Sequence, residues 1–107
     1  MSEIAEIVEN RLVNNYIYDQ LKKIKKNKIN ATSILIRLGS QITGEYNFSF
    51  TSEEMIIKID RKKDITEIRN KITQLLKNLI PPTIDINFIF KILSGNGELT
   101  IRPKRNV

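Results

Sequence analysis

At 107 residues the chain is long enough for one hydrophobic core and too short for two. With 40% apolar and 28% charged residues it reads as a folded globular chain; having no histidine and no cysteine, it can form neither a disulfide framework, nor the usual zinc sites, nor a nucleophile–imidazole pair. Eighteen basic residues against twelve acidic ones leave a formal charge of +6, which favours an acidic partner, nucleic acid foremost.

The opening "MSEIAEIVEN" is acidic and lacks the order of a signal peptide, and no apolar run reaches the roughly 18 residues of a membrane span. The expectation is a cytoplasmic protein with no membrane partner.

Residues 2–26 read as a helix. Ser2 is placed to cap it, with Glu3 and Glu6 near the positive end of the helix dipole and lysines near the negative end. Its apolar positions follow two faces, Ile4, Val8, Leu12 and Tyr16 on one, Val13, Ile17, Leu21 and Ile24 on the other. Such a pattern implies a bend at Asn14–Asn15 or a helix with a second partner. In "ATSILIRL" the alternation of Ile34, Ile36 and Leu38 with Ser33, Leu35 and Arg37 predicts a strand, with a turn at Gly39–Ser40. "GEYNFSF" alternates Tyr46, Phe48 and Phe50 with polar residues, and "MIIKID" points Met55, Ile57 and Ile59 inward, which completes an antiparallel meander.

"DITE" opens a second helix with a capping-box pattern, Asp64 and Glu67. Its stripe is Ile65, Ile68, Ile72, Leu75, Leu76 and Leu79, and Pro81–Pro82 stops it. "TIDINFIFKIL" predicts a long strand with Ile84, Ile86, Phe88, Phe90 and Ile92 on one face; "SGNG" predicts a turn, and "ELTIRPKR" an edge strand ended by Pro103. Together these elements predict a single α+β domain over residues 1–107. It would be a two-layer sandwich, a mainly antiparallel sheet of about five strands with two helices on one face, in the order α-β-β-β-α-β-β.

The strongest functional pattern is "LKKIKKNKIN", with five lysines in seven positions and no acid between Asp19 and Glu45. Lys22, Lys25 and Lys26 share a helical face, and Lys23 and Lys28 flank them. Arg61, Lys62 and Lys63 form a basic turn, and Arg102, Lys104 and Arg105 a basic tail. These eleven residues are the candidate phosphate contacts, because each ion pair with a nucleic-acid backbone releases counterions and adds salt-dependent affinity. A run of lysines also suits a solvated helix end, so the pattern admits both readings. The Tyr46, Phe48, Phe50 row could stack bases, but three aromatics at period two fit a core face better. "SGNG" lacks the Lys-Ser/Thr ending of a phosphate loop. No acid pair sits on an apolar face, so neither catalysis, nor a metal, nor a cofactor is expected.

Residues 48–79, "FSFTSEEMIIKIDRKKDITEIRNKITQLLKNL", resemble the hairpin-then-helix half of the small dimerising subunit of the KEOPS tRNA-modifying complex. "IIKIDR", the helix after it and the ending "SGNGELTIRPKR" resemble the small protein subunit of archaeal ribonuclease P. Both resemblances imply a non-enzymatic accessory subunit that contacts RNA and a protein partner, with Arg69 and the basic tail as RNA contacts. The two-sided first helix or an edge strand would carry the protein partner or a homodimer. "LLKNLIPPTIDINFIF" resembles the helix–Ile-Pro–strand ending of phage tail and baseplate proteins, which implies a structural assembly role instead. A small DNA-binding protein is a further alternative, although "ITEIRNKITQLL" offers few base-reading side chains.

Overall fold

Two antiparallel hairpins, laid side by side, make the sheet. The structure is a computed structural model that describes residues 2–104, with side chains from Asn14 onward. Its elements are α1 (Ser2–Lys26), α2 (Ala31–Ile42), β1 (Asn47–Thr51), β2 (Glu54–Lys58), α3 (Ile65–Asn78), α4 (Ile86–Ile89), β3 (Phe90–Gly95) and β4 (Glu98–Pro103). The strands form one four-stranded antiparallel sheet in the order β1-β2-β4-β3. Because β4 pairs with both β2 and β3, the chain from β2 through α3 to β3 is a split crossover with β4 inserted.

Strand pairing sets the two faces. Phe48 lies opposite Ile57, Ile57 opposite Leu99, Met55 opposite Ile101, and Ile101 opposite Ile92. Paired residues share a face, so these side chains form one apolar layer, in which Met55, Ile57, Leu99 and Ile101 are fully buried. They join one cluster with Ile34, Leu35, Leu38 and Ile42 of α2 and Ile68, Ile72 and Leu76 of α3. Each such side chain contributes about 1.5–3 kcal/mol of burial. The opposite face carries Ser49, Ile56, Thr100 and Leu93 in one cross-sheet row and leaves Lys58, Lys91 and Arg102 exposed. The α+β class and the antiparallel sheet with helices on one face are as the sequence predicts.

The local assignments differ in four places. Residues 31–42 are a helix, not a strand. Asn30 caps it by accepting a hydrogen bond from Ser33 N at 2.9 Å. Ala31, Ile34, Leu35, Leu38, Gly39 and Ile42 are its buried residues, a three-and-four spacing that overrides the short alternation around Ile34. Gly39 lets α2 approach β1: a Cβ there would lie 3.1 Å from the Phe48 ring. Second, the long strand expected over residues 83–93 is interrupted. Asp85 accepts from Asn87 N at 2.9 Å and starts the single turn α4, which buries Ile86 and Ile89 before β3 begins. Third, β4 is an interior strand and not an edge; the edges are β1 and β3. Fourth, Tyr46 precedes β1 instead of belonging to it.

α1 runs unbroken through Asn14–Asn15. The side of α1 that meets the rest of the fold is Tyr16, Gln20 and Ile24, four residues apart, of which Gln20 and Ile24 are buried and Tyr16 stays 47% exposed. The Tyr16 hydroxyl donates to Asp85 Oδ2 at 2.9 Å, and its ring meets Phe88 edge to face at 6.4 Å. The buried Gln20 amide donates to Thr83 O and accepts from Asp85 N. Both polar atoms of that amide have a partner, which offsets the cost of burying a polar group at a helix interface. Ile17, Tyr18 and Leu21 are exposed. The expected Ser2 cap, Glu3, Glu6 and the stripe positions Ile4, Val8, Leu12 and Val13 lie outside the described side chains, and Arg105 lies outside the described residues.

Candidate nucleic-acid interface

Helix chemistry places the lysine cluster. Lys23, Lys25 and Lys26 occupy the last turn of α1, where unpaired carbonyls favour cations. The helix ends in a Schellman arrangement: Ile29 N bonds to Ile24 O at 3.0 Å and Lys28 N to Lys25 O at 3.2 Å, with Lys28 at φ 52. Ile24 and Ile29 both pack into the core cluster, so the reversal is pinned from inside while the lysines face out. Lys22, Lys25, Lys26 and Lys28 are exposed. Lys23 is paired with Asp19 across one turn at 2.8 Å, which partly neutralises it.

Beside this helix end lies a concavity of about 340 Å³ between α1, α2 and the end of α3. Its lining includes Asn27, Lys28, Asn30, Ser33, Arg37 and Pro81 and contains no acid. Arg37 is a basic partner that a strand assignment hides. In a strand it would stand far along the chain from Lys28; with residues 31–42 helical, it projects two turns from the Asn30 cap into the same recess. Asn30 followed by Ser33 was the signal that could have found it.

The other basic groups go elsewhere. Asp60 organises Arg61–Lys63 by accepting from Lys62 N at 3.2 Å, and its carbonyl accepts from Lys63 N at 2.9 Å. Lys63 Nζ stands 5.5 Å and Lys71 Nζ 5.6 Å from the centroid of the Tyr46 ring. Lys71 is also ion-paired with Glu45, and that hydrogen bond raises its pKa above the ordinary lysine value. These residues line a concavity of about 550 Å³ with Asp64 and Glu67, so its charge is mixed. Because α2 and α3 run antiparallel, Lys28 meets the C-terminal end of α3 while Lys63 meets its N-terminal end. The 14 residues of α3, about 21 Å of helix, separate the two groups.

Arg102 lies on the open face of the sheet, where its Nε donates to Glu54 Oε2 at 2.6 Å. Lys104 is tied by its backbone to Ile89 O at 2.8 Å and borders a concavity with Arg69, Lys91 and Asn87. Asp85 titrates below the ordinary aspartate value, first because its carboxylate accepts from the Asn87 backbone N–H, with the Tyr16 hydroxyl and the charge of Lys104 acting in the same direction against partial burial. The same contact raises the Tyr16 pKa, since the hydroxyl proton is held by Asp85. Arg69 donates to Ile92 O and Ser94 Oγ, both at 3.2 Å, which ties α3 to the outer edge of β3.

Of the expected contacts, then, Lys22–Lys28 form one surface and gain Arg37, Arg61–Lys63 form a second at the far end of α3, and Arg102 and Lys104 stand apart from each other. Among the described residues no helix is long and apolar enough to cross a membrane, and no group of three or more Asp and Glu side chains is arranged to hold a metal ion. No family model matches the chain, and neither a curated protein nor a solved structure is significantly similar to it.

Proposed function

We propose that the chain is a non-enzymatic accessory subunit that binds RNA through the lysine-rich end of α1 and docks onto a protein partner. The observation that carries this reading is the acid-free recess lined by Lys28 and Arg37, at the end of the helix whose last turns carry the exposed Lys22, Lys25 and Lys26. Exposed, clustered cations are available to phosphates; those of Arg102 and Lys71 are already committed to carboxylates. The side-chain amides of Asn27 and Asn30 and the Ser33 hydroxyl add donors suited to phosphate and ribose oxygens. The resemblances to RNA-processing subunits favour RNA over duplex DNA.

The exposed Ile17, Tyr18 and Leu21 of α1 suit the protein partner. They equally suit the structural assembly role, which is the second reading.

The test is a polarisation titration with tRNA and a matched DNA duplex at two salt concentrations. The expected result is tighter binding of RNA, with the triple variant Lys22→Ala, Lys25→Ala, Lys26→Ala lowering the log–log salt slope by about 2–3. The matching variant of Arg61, Lys62 and Lys63 should leave most of the slope in place. Absence of binding near physiological salt would reject the RNA reading in favour of assembly.

A further inference from the structure

The two edges of the sheet are protected very differently. Both hairpins close through two-residue turns, so the pairs nearest the turns, Thr51–Glu54 and Gly95–Glu98, exchange hydrogen bonds within the hairpin. Alternation then directs the backbone groups of Phe90, Ile92 and Ser94 outward from β3, and those of Phe48 and Phe50 outward from β1. On β3 the Arg69 guanidinium occupies the Ile92 carbonyl, and Lys91 adds a charge to the strand. That is how an edge is kept from pairing. β1 reads "NFSFT", with no charge, no proline and no glycine, and among the described residues nothing pairs with its outer side.

The flank above that edge continues the pattern. Gly39 of α2 rests over Phe48 and Phe50, and Ile36, three residues earlier on the same side, is 60% exposed. Phe50 is 46% exposed. Thr32 and Ser40 share this side of α2 and Thr43 follows as its C-cap, so this flank is uncharged in a chain that is 28% charged.

We infer that β1 is a homodimer interface, pairing antiparallel with β1 of a second copy about a two-fold axis at Ser49. The strand is self-complementary in that register. Phe48 falls opposite the second copy's Phe50 and exchanges two backbone hydrogen bonds with it; the symmetric pair does the same, so all four outward groups are used. The aromatic side chains meet on the helix side, below Ile36 of both copies, while Asn47 meets Thr51 on the open face. A second copy suits this flank because no lysine of a chain carrying +6 has to approach its own symmetry mate there. The inference is independent of the RNA reading.

Ser49 is exposed on the open face and sits at the axis, so its substitution tests the contact without touching the core. Light scattering on a size-exclusion column, over a dilution series of the full chain, should show a dimer. Ser49→Lys, which sets two like charges face to face, should raise the dissociation constant at least about tenfold, and Ser49→Asp should do the same. Mixing the two variants should restore the dimer, because the opposed charges then attract. Ile36→Lys, on the helix surface, should weaken the dimer without affecting strand pairing, and circular dichroism should show every variant folded. A monomeric wild type at all concentrations overturns the inference. So does a dimer indifferent to Ser49→Lys and Ile36→Lys, which would place the contact elsewhere.

Discussion

The β1–β2 and β3–β4 hairpins use the same turn with unequal residues. At the tip of the second, Asn96 and Gly97 take φ 55 and 73; at the tip of the first, Ser52 and Glu53 take φ 48 and 72. Two left-handed residues make the turn whose twist matches paired strands, and Asn-Gly is the sequence that reaches it with least strain. The second hairpin therefore fixes its own register locally, and its tip is tied further by Ile59 N donating to Gly97 O at 2.8 Å. In the first, Ser52 and Glu53 hold a conformation they disfavour. What imposes the register there is packing: Met55 and Ile57 are fully buried, and Phe48 and Phe50 lie under Gly39 of α2. One hairpin is specified by its turn, the other by the helix above it.

The largest effect should come from damaging the good turn. Gly97→Val places a β-branched side chain at positive φ and should cost about 2 kcal/mol, read as a lower urea midpoint with an unchanged slope. Since a Cβ at Gly97 would meet only Ile59 O, at an ordinary contact distance of 3.8 Å, a loss of that size would come chiefly from the backbone. Repairing the poor turn comes next. Ser52→Asn with Glu53→Gly should stabilise the fold by about 1 kcal/mol in the same assay. An unchanged midpoint would mean that packing already absorbs the strain of that tip. The smallest effect belongs to the ion pair that joins the two hairpins. Glu54→Gln removes the partner of Arg102 and should cost about 0.5 kcal/mol, fading as salt is added, because the pair is open to solvent.

The candidate site was partly legible in the sequence. Five lysines at the end of a helical pattern are visible directly, and their spacing puts Lys22, Lys25 and Lys26 on one face. Arg37 was not legible as their neighbour, because a strand assignment hid the fold of residues 31–42. The alternation of Ile34, Ile36 and Leu38 with Ser33, Leu35 and Arg37 is regular enough within the eight residues 31–38 to look extended. Over twelve, with Ala31 before it and Gly39 and Ile42 after, only a helix buries the apolar positions together. Asp85 likewise turned an apparent strand into a helical turn: its carboxylate offers the backbone of Asn87 a local hydrogen bond that the sheet would otherwise supply.

By itself the sequence determined the α+β class, the α3 helix with its Asp64 cap, the Asn-Gly turn and the placement of a dense basic run at a helix end. Each of these follows from interactions within a few residues: periodic burial, a cap, a permitted φ. Only the tertiary structure decided that β4 lies inside the sheet and β1 at its edge, that Lys28 and Arg37 share a recess, and that Arg61–Lys63 stand a helix length away. Those depend on which elements pair across the chain, and the energy that selects a pairing, burial of Leu99 and Ile101 between two strands and two helices, exists only once all of them have met.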